Sequence, residues 1–324
     1  MQNATVLYKK AGIIILLFLA LCGCSGRNET ATETQPSEIH EETENVSTAE
    51  AMPEESEADT EPDIIEPVII EPVITEIDLE SYFHGINGAA VIYNPSENSY
   101  QIYNQEMAFT RRSPCSTFKI ISSLIALENQ VIVPDNSIRT WSGEVFWNED
   151  WNRDIAFEDA FRTSCVWYFR KIIDEIGNDV IQEELNKLQY GNCDISDWEG
   201  SLNTNNNNRA LTGFWIESSL KISPKEQTEV MERIFGEHSV YSQTSQDSLK
   251  QVMLLTEGDG SEPLIYGKTG LGKSNGIVVD AWFTGFSDTD KGRIYFCVYL
   301  GETNGKDVSS TKAKEIAIEI ISDL

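Results

Sequence analysis

The sequence predicts an α+β domain carried on a long polar arm. Three observations predict it. Strand-forming segments lie at both ends of the region after residue 79, helix-periodic segments fill its middle, and one more helix closes the chain. The 324 residues fall into a leader, an arm and a single folded region, with the main division near residue 79.

The first 24 residues run from Lys9-Lys10 through an apolar stretch, Ile13 to Leu21, and stop at Cys22-Gly23-Cys24. That is the charged, hydrophobic and cleavage order of a signal peptide, and the apolar stretch is too short to span a bilayer comfortably. Leu21-Cys22-Gly23-Cys24 also resembles the lipobox of bacterial lipoproteins, which makes Cys24 the expected lipid anchor. An ordinary signal peptide or an uncleaved anchor is the alternative. All three readings put the remainder outside the cytoplasm, lipid-anchored to the bacterial cell membrane or secreted.

Residues 25–78 read as a disordered acidic stalk. Between Ser25 and Glu80 there are 18 acidic residues, one basic residue, Arg27, and no aromatic. Such a segment cannot bury enough apolar surface to offset its ordering entropy. The repeated Ile-Glu-Pro-Val-Ile at 65–69 and 70–74 adds stiffness near its end. Like charges push it outward from an anionic membrane surface.

The folded region, 79–324, opens with a hairpin: Gly88 to Tyr93 and Tyr100 to Tyr103 flank the turn Asn94-Pro95-Ser96-Glu97-Asn98. Ser113-Pro114 then predicts a capped helix running to Asn129, with Ser116 in its first turn. Phe157 to Ile176 reads as helix with a break near Thr163-Ser164, and Ser223-Pro224 starts another that runs through Phe235. Gly276 to Phe286 and Arg293 to Leu300 read as a second hairpin, and Lys312 to Ile321 as the closing helix.

Charge excludes one class of partner. The chain carries a formal net charge of −29, and after Glu80 there are still 35 acidic residues against 21 basic ones, which argues against nucleic acid. No HExxH, paired CxxC or Gly-rich phosphate loop appears, so neither a metal nor a nucleotide cofactor is implied. Beyond the leader only Cys115, Cys165, Cys193 and Cys297 remain, and a disulfide between Cys115 and Cys165 is left open. His40 lies in the stalk and His84 and His238 have no obvious partners, so no Ser-His-Asp triad is suggested.

Ser116-Thr-Phe-Lys119 puts a hydroxyl and an amine three residues apart on one helix face. Serine attacks a carbonyl only when a neighbouring base takes its proton, and burial makes lysine such a base by disfavouring the ammonium. A helix start adds amide donors for a developing oxyanion. Two further elements follow in order, Ser164-Cys165-Val166 and Lys268-Thr269-Gly270; 48 residues separate Ser116 from Ser164, and 104 separate Ser164 from Lys268.

With these three elements the chain resembles the penicillin-recognising serine enzymes. Ser-Thr-Phe-Lys, Ser-x-Val, Tyr190-Gly191-Asn192, the segment Phe214-Trp215-Ile216-Glu217-Ser218-Ser219-Leu220-Lys221-Ile222-Ser223, and Trp147-Asn148 to Trp151-Asn-Arg-Asp154 narrow the resemblance to the class D β-lactamases, the oxacillinases. It covers roughly Phe109 to Leu300. The resemblance implies an antiparallel sheet flanked by helices with a mainly helical subdomain, and hydrolysis of β-lactam antibiotics through an acyl-enzyme on Ser116.

It implies roles as well. Lys119 would react with CO₂ to form a carbamate, in a pocket kept apolar by Val166 and held by a hydrogen bond from Trp215, and would serve as general base. Ser164 would pass a proton to the lactam nitrogen. Lys268 and Thr269 would bind the substrate, and the amides of Ser116 and of Leu271, which follows Gly270, would form the oxyanion hole. A direct catalytic role for Tyr190-Gly191-Asn192 stays open beside a turn role.

Two departures stand out. The strand Ala281-Trp282-Phe283-Thr284-Gly285 keeps the tryptophan of the family's Gly-Trp pair alone, and the family's carboxylate-binding arginine has no clear counterpart, with Lys312 or Lys314 as substitutes. A cell-wall transpeptidase or carboxypeptidase, or a penicillin-binding sensor that acylates without turnover, are the competing readings. Val166, Trp215 and Tyr-Gly-Asn weigh against the first. A single hydrophobic segment, where such sensors carry several, weighs against the second.

Overall fold

The structure, a computed structural model, describes residues 71–255, 263–306 and 308–324. The leader, Cys24 and the stalk up to residue 70 lie outside the described residues. Contacts divide the chain between Glu66 and Pro67, and every described residue belongs to the second unit.

The strands are β1 (Val73–Glu76), β2 (Gly88–Asn94), β3 (Ser99–Tyr103), β4 (Leu264–Ser274), β5 (Ile277–Thr289) and β6 (Gly292–Gly301). They form one sheet in the order β1-β3-β2-β6-β5-β4, so strands from both ends of the domain pair at its centre, β2 against β6. The pairs are antiparallel except β1 with β3, which is parallel. Here the expected boundary is corrected: the acidic arm does not run to residue 78, because Val73–Glu76 is already an edge strand. Its side chains are exposed, so what holds it is backbone bonding, Val73 N–H to the Asn98 carbonyl at 2.9 Å and Ile77 N–H to that of Ile102 at 2.9 Å, which shields the open edge of β3.

The helices are α1 (Glu80–Phe83), α2 (Gln105–Ala108), α3 (Lys119–Glu128), α4 (Phe157–Arg162), α5 (Val166–Ile176), α6 (Asn178–Leu188), α7 (Pro224–Phe235), α8 (Gln243–Met253) and α9 (Ser310–Ser322). Alternation along the central strands sorts the two faces of the sheet. Phe296, Val298 and Leu300 of β6 pack with Ile316 and Ile320 of α9, while Tyr295 joins the larger core shared with α3, α5, α6, α7 and α8. Helix α3 is buried from Lys119 to Ala126, the position of a helix enclosed on all sides rather than laid on a surface.

Local signals decide several boundaries. Ser223 accepts the Glu226 amide while the Glu226 carboxylate accepts the Ser223 amide, a full capping box with Pro224 in the first turn. Ser113 does not cap a helix. Its hydroxyl accepts the Glu217 amide at 2.8 Å and donates to the Trp215 carbonyl at 3.3 Å, and the chain enters α3 through a 3-10 turn, Cys115–Phe118, that holds Ser116. Lys268-Thr269-Gly270 sits within a strand of its own, β4, just ahead of the β5–β6 hairpin.

Removing the capping box tests its weight. Ser223→Ala leaves the Glu226 amide unbonded, and urea denaturation should show a loss of about 1 kcal/mol; a loss under a few tenths would show that Pro224 and burial alone start α7.

Candidate active site

Ser116 and Lys119 meet at the entrance to α3. The Lys119 Nζ lies 2.8 Å from the Ser116 Oγ. Lys119 is 1% exposed, its amine lies 5.4 Å from the centre of the Phe169 ring, and burial pulls its pKa down to about 8. A neutral amine therefore costs little near neutral pH, and a neutral amine accepts the serine proton.

The turn before Ser116 is held from three sides. Cys115 adopts a left-handed φ of 50°, and its amide donates to the Trp215 carbonyl at 2.9 Å. The indole of Trp282 donates to the Ser113 carbonyl at 3.0 Å. Gly270 lets β4 come close, since a Cβ there would meet the Pro114 carbonyl oxygen and the Thr117 methyl, each at 3.0 Å.

Ser164 is placed by the end of α4. The Cys165 amide bonds to the Ala160 carbonyl at 2.8 Å and the Ser164 amide to that of Phe161 at 3.2 Å, the two bonds of a Schellman motif. Such a motif needs a left-handed residue, normally glycine, and here it is Ser164 with φ 58°. The motif breaks the helix where the sequence predicts and turns the serine hydroxyl toward Lys268, whose Nζ lies 3.2 Å away. Lys268 is buried, and its pKa is well below the usual lysine value, through desolvation first and the nearby Lys119 second.

A cleft of about 560 Å³ opens over these groups, and Ser116, Ser164, Val166, Thr269, Gly270 and Leu271 all line it. Trp215 does not. It is fully buried, stacked at 6.0 Å on Phe118, the residue before Lys119, with the Arg170 guanidinium 5.3 Å from its ring. Among the described residues, no three His, Cys, Asp or Glu side chains are grouped to hold a metal ion.

The family description "penicillin binding protein transpeptidase domain" matches residues 88–322. The chain belongs to this family. On its class D side, a probable β-lactamase of Bacillus subtilis, YbxI, is 31% identical over 76% of this chain and 84% of that one. The regulatory protein BlaR1 of Bacillus licheniformis is 30% identical over 76% of this chain, which spans 39% of that protein's length. A solved class D β-lactamase from Bacillus subtilis superposes with a TM-score of 0.64 at 29% identity, covering 76% of this chain and 95% of that one. The α+β architecture is that of the class D enzymes.

Other family motifs prove to be scaffolding. None of Tyr190, Gly191 and Asn192 lines the cleft. Asn192 bonds through its side chain to the Lys221 amide at 2.8 Å and the Ser219 carbonyl at 2.9 Å, and Gly191, at φ 55°, leaves no room for a Cβ against the Lys221 carbonyl oxygen 1.9 Å away. The motif thus splices onto the segment that carries Trp215. Cys115 and Cys165 are free thiols, and burial raises both to about 12.

Of the lysines considered for a substrate carboxylate, Lys312 pairs with Glu315 at 3.3 Å. Lys314 lines a neighbouring cavity of about 700 Å³ that also takes in Lys268 and shares Thr269 with the cleft. Several cleft residues escaped the sequence reading as site residues, among them Lys273, Thr204, Asn205, Glu217 and Trp147. For Lys273 the signal was available, two positions beyond Leu271 on the same strand. For Thr204 and Asn205, in a polar Asn-rich loop between Tyr190-Gly191-Asn192 and the Phe214 segment, none was.

The depressed lysine makes a stability prediction. At or below pH 8 the folded protein keeps a proton on a desolvated amine; between pH 8 and 10.5 the unfolded chain binds more protons than the folded one, so stability rises with pH. Lys119→Met should therefore stabilise the protein at pH 7 by on the order of 2–3 kcal/mol in denaturation experiments without bicarbonate. The advantage should shrink from pH 8 to 10.5; a gap that stays constant across this range would refute the buried-ammonium account.

Proposed function

We propose that the domain hydrolyses β-lactams through an acyl-enzyme on Ser116. The observation that carries this reading is the 2.8 Å pairing of Ser116 Oγ with a buried amine whose charged form desolvation disfavours. Lys119 takes the hydroxyl proton as the Oγ attacks the lactam carbonyl carbon, and the C–N bond breaks. Ser164, 3.2 Å from Lys268, passes a proton to the departing nitrogen. The amides of Ser116 and Leu271 receive the oxyanion, while Lys268 and Thr269 hold the substrate carboxylate. A water activated by the same base then cleaves the ester and frees Ser116.

The surroundings of Lys119 also suit CO₂ addition, because only an unprotonated amine reacts with it, and burial beside the Phe169 ring disfavours the ammonium. Such a carbamate would supply a stronger acceptor for the serine and water protons. Trp215, stacked on the neighbouring Phe118, is the residue proposed to steady it by hydrogen bonding. We propose in addition that Cys24 is lipidated and that the domain works outside the cytoplasm, on the stalk, against β-lactams that reach the cell surface.

The similarity to BlaR1 supports a second reading, a receptor that is acylated and stays so. Purified 67–324, which keeps β1, should hydrolyse a penicillin and a chromogenic cephalosporin with turnover that rises with bicarbonate and vanishes in Lys119→Ala. One stoichiometric burst followed by a stable adduct on Ser116 would favour the receptor. For the anchor, Cys24→Ala should move the full chain from the membrane fraction to the medium on expression in a bacterial host, and unchanged fractionation would refute lipidation at that residue.

A further inference from the structure

Trp147 is the most exposed tryptophan described, at 79%, and it lines the same cleft as Ser116. Exposure of so large a ring normally accompanies a loose loop, but this backbone is pinned on both sides. Phe146 exchanges bonds with the Asn152 side chain, amide to Oδ1 at 2.8 Å and Nδ2 to carbonyl at 3.0 Å. Asn148 caps the following 3-10 turn, Glu149–Trp151, by accepting the Asp150 amide at 3.1 Å.

The ring also has a firm support. It lies 5.1 Å from the ring of Trp151, tilted by 57°, and Trp151 is 3% exposed. The Trp151 indole donates to the carbonyl of Thr163 at 3.0 Å, one residue before Ser164, and its own carbonyl accepts the Trp167 indole at 2.9 Å. Trp147 is thus held by the framework that places the proton-relaying serine, with one face left open to the cleft. Nothing in the fold covers that face among the described residues. A rigid aromatic surface gains contact on binding with little ordering cost, and a flat ring is the partner it fits best.

We propose that Trp147 is a specificity-determining shelf that stacks an aromatic substituent of the β-lactam substrate. The proposal rests on the β-lactam reading above. The rim beside it is tied down by the Asn208 side chain, which donates to the Glu144 carboxylate at 2.6 Å, and by Thr204, which donates to Glu217 at 3.0 Å. These bonds keep polar walls around the shelf and leave the ring as its apolar floor.

The test uses the acylation rate constant of Ser116, read by mass spectrometry, so that it works whether or not the adduct turns over. Two matched pairs serve as probes: benzylpenicillin with 6-aminopenicillanic acid, and two cephalosporins that differ only by an aryl group on the ring opposite the acylamino side. The wild-type protein should favour the aryl member of at least one pair, and Trp147→Ala should shrink that ratio by roughly five- to tenfold. Trp147→Phe should restore most of it. Ratios unchanged in Trp147→Ala on both pairs, or equal losses on both members, would overturn the shelf while leaving the β-lactam reading intact. Absence of any acylation of wild-type protein would overturn the β-lactam reading and the shelf with it.

Discussion

A lysine amine that must be kept dry directly beneath a serine hydroxyl constrains the rest of this domain. Water would stabilise the ammonium further, and an ammonium cannot accept the serine proton. The chain answers with layers: α3 buried on all sides, Phe169 of α5 over the amine, Phe118 stacked on Trp215, and the Arg170 guanidinium behind Trp215. Each layer brings in another element, so α3, α5 and the segment from Phe214 to Ser223 form one continuous core.

Both serines of the candidate site sit at strained turns. Cys115, next to Ser116, and Ser164 itself adopt left-handed backbone angles that favour glycine, at a cost on the order of 1 kcal/mol or more each. The surrounding bonds hold these conformations: the Trp215 carbonyl and Trp282 indole at one turn, the end of α4 and the Trp151 indole at the other. Tryptophans with apolar bodies and single N–H donors serve both needs, filling the core and clamping a carbonyl beside the site.

The second lysine has a related place. Lys268 shares Ser164 and the neighbourhood of Lys119, and two buried amines so close oppose each other's charging. In the proposed reaction a carboxylate bound at Lys268 would favour charge there and leave Lys119 as the base.

The linear sequence determined the α+β class, the Ser223 cap, the break near Ser164 and the order of the three motifs, because these depend on local periodicity, turn chemistry and residue type. Charge counting hid β1, since an edge strand held by backbone bonds needs no apolar side chains. Ser113 misled for a similar reason: a Ser-Pro pair looks like a cap, but its hydroxyl bonds across 104 residues to Glu217. Only the tertiary structure decided that Tyr190-Gly191-Asn192 is a splice, that Trp215 is buried against Phe118 rather than lining the cleft, and that Trp147 opens into the cleft. Those outcomes depend on which distant segments meet and which faces they leave uncovered, and neither is a property of any window of the chain.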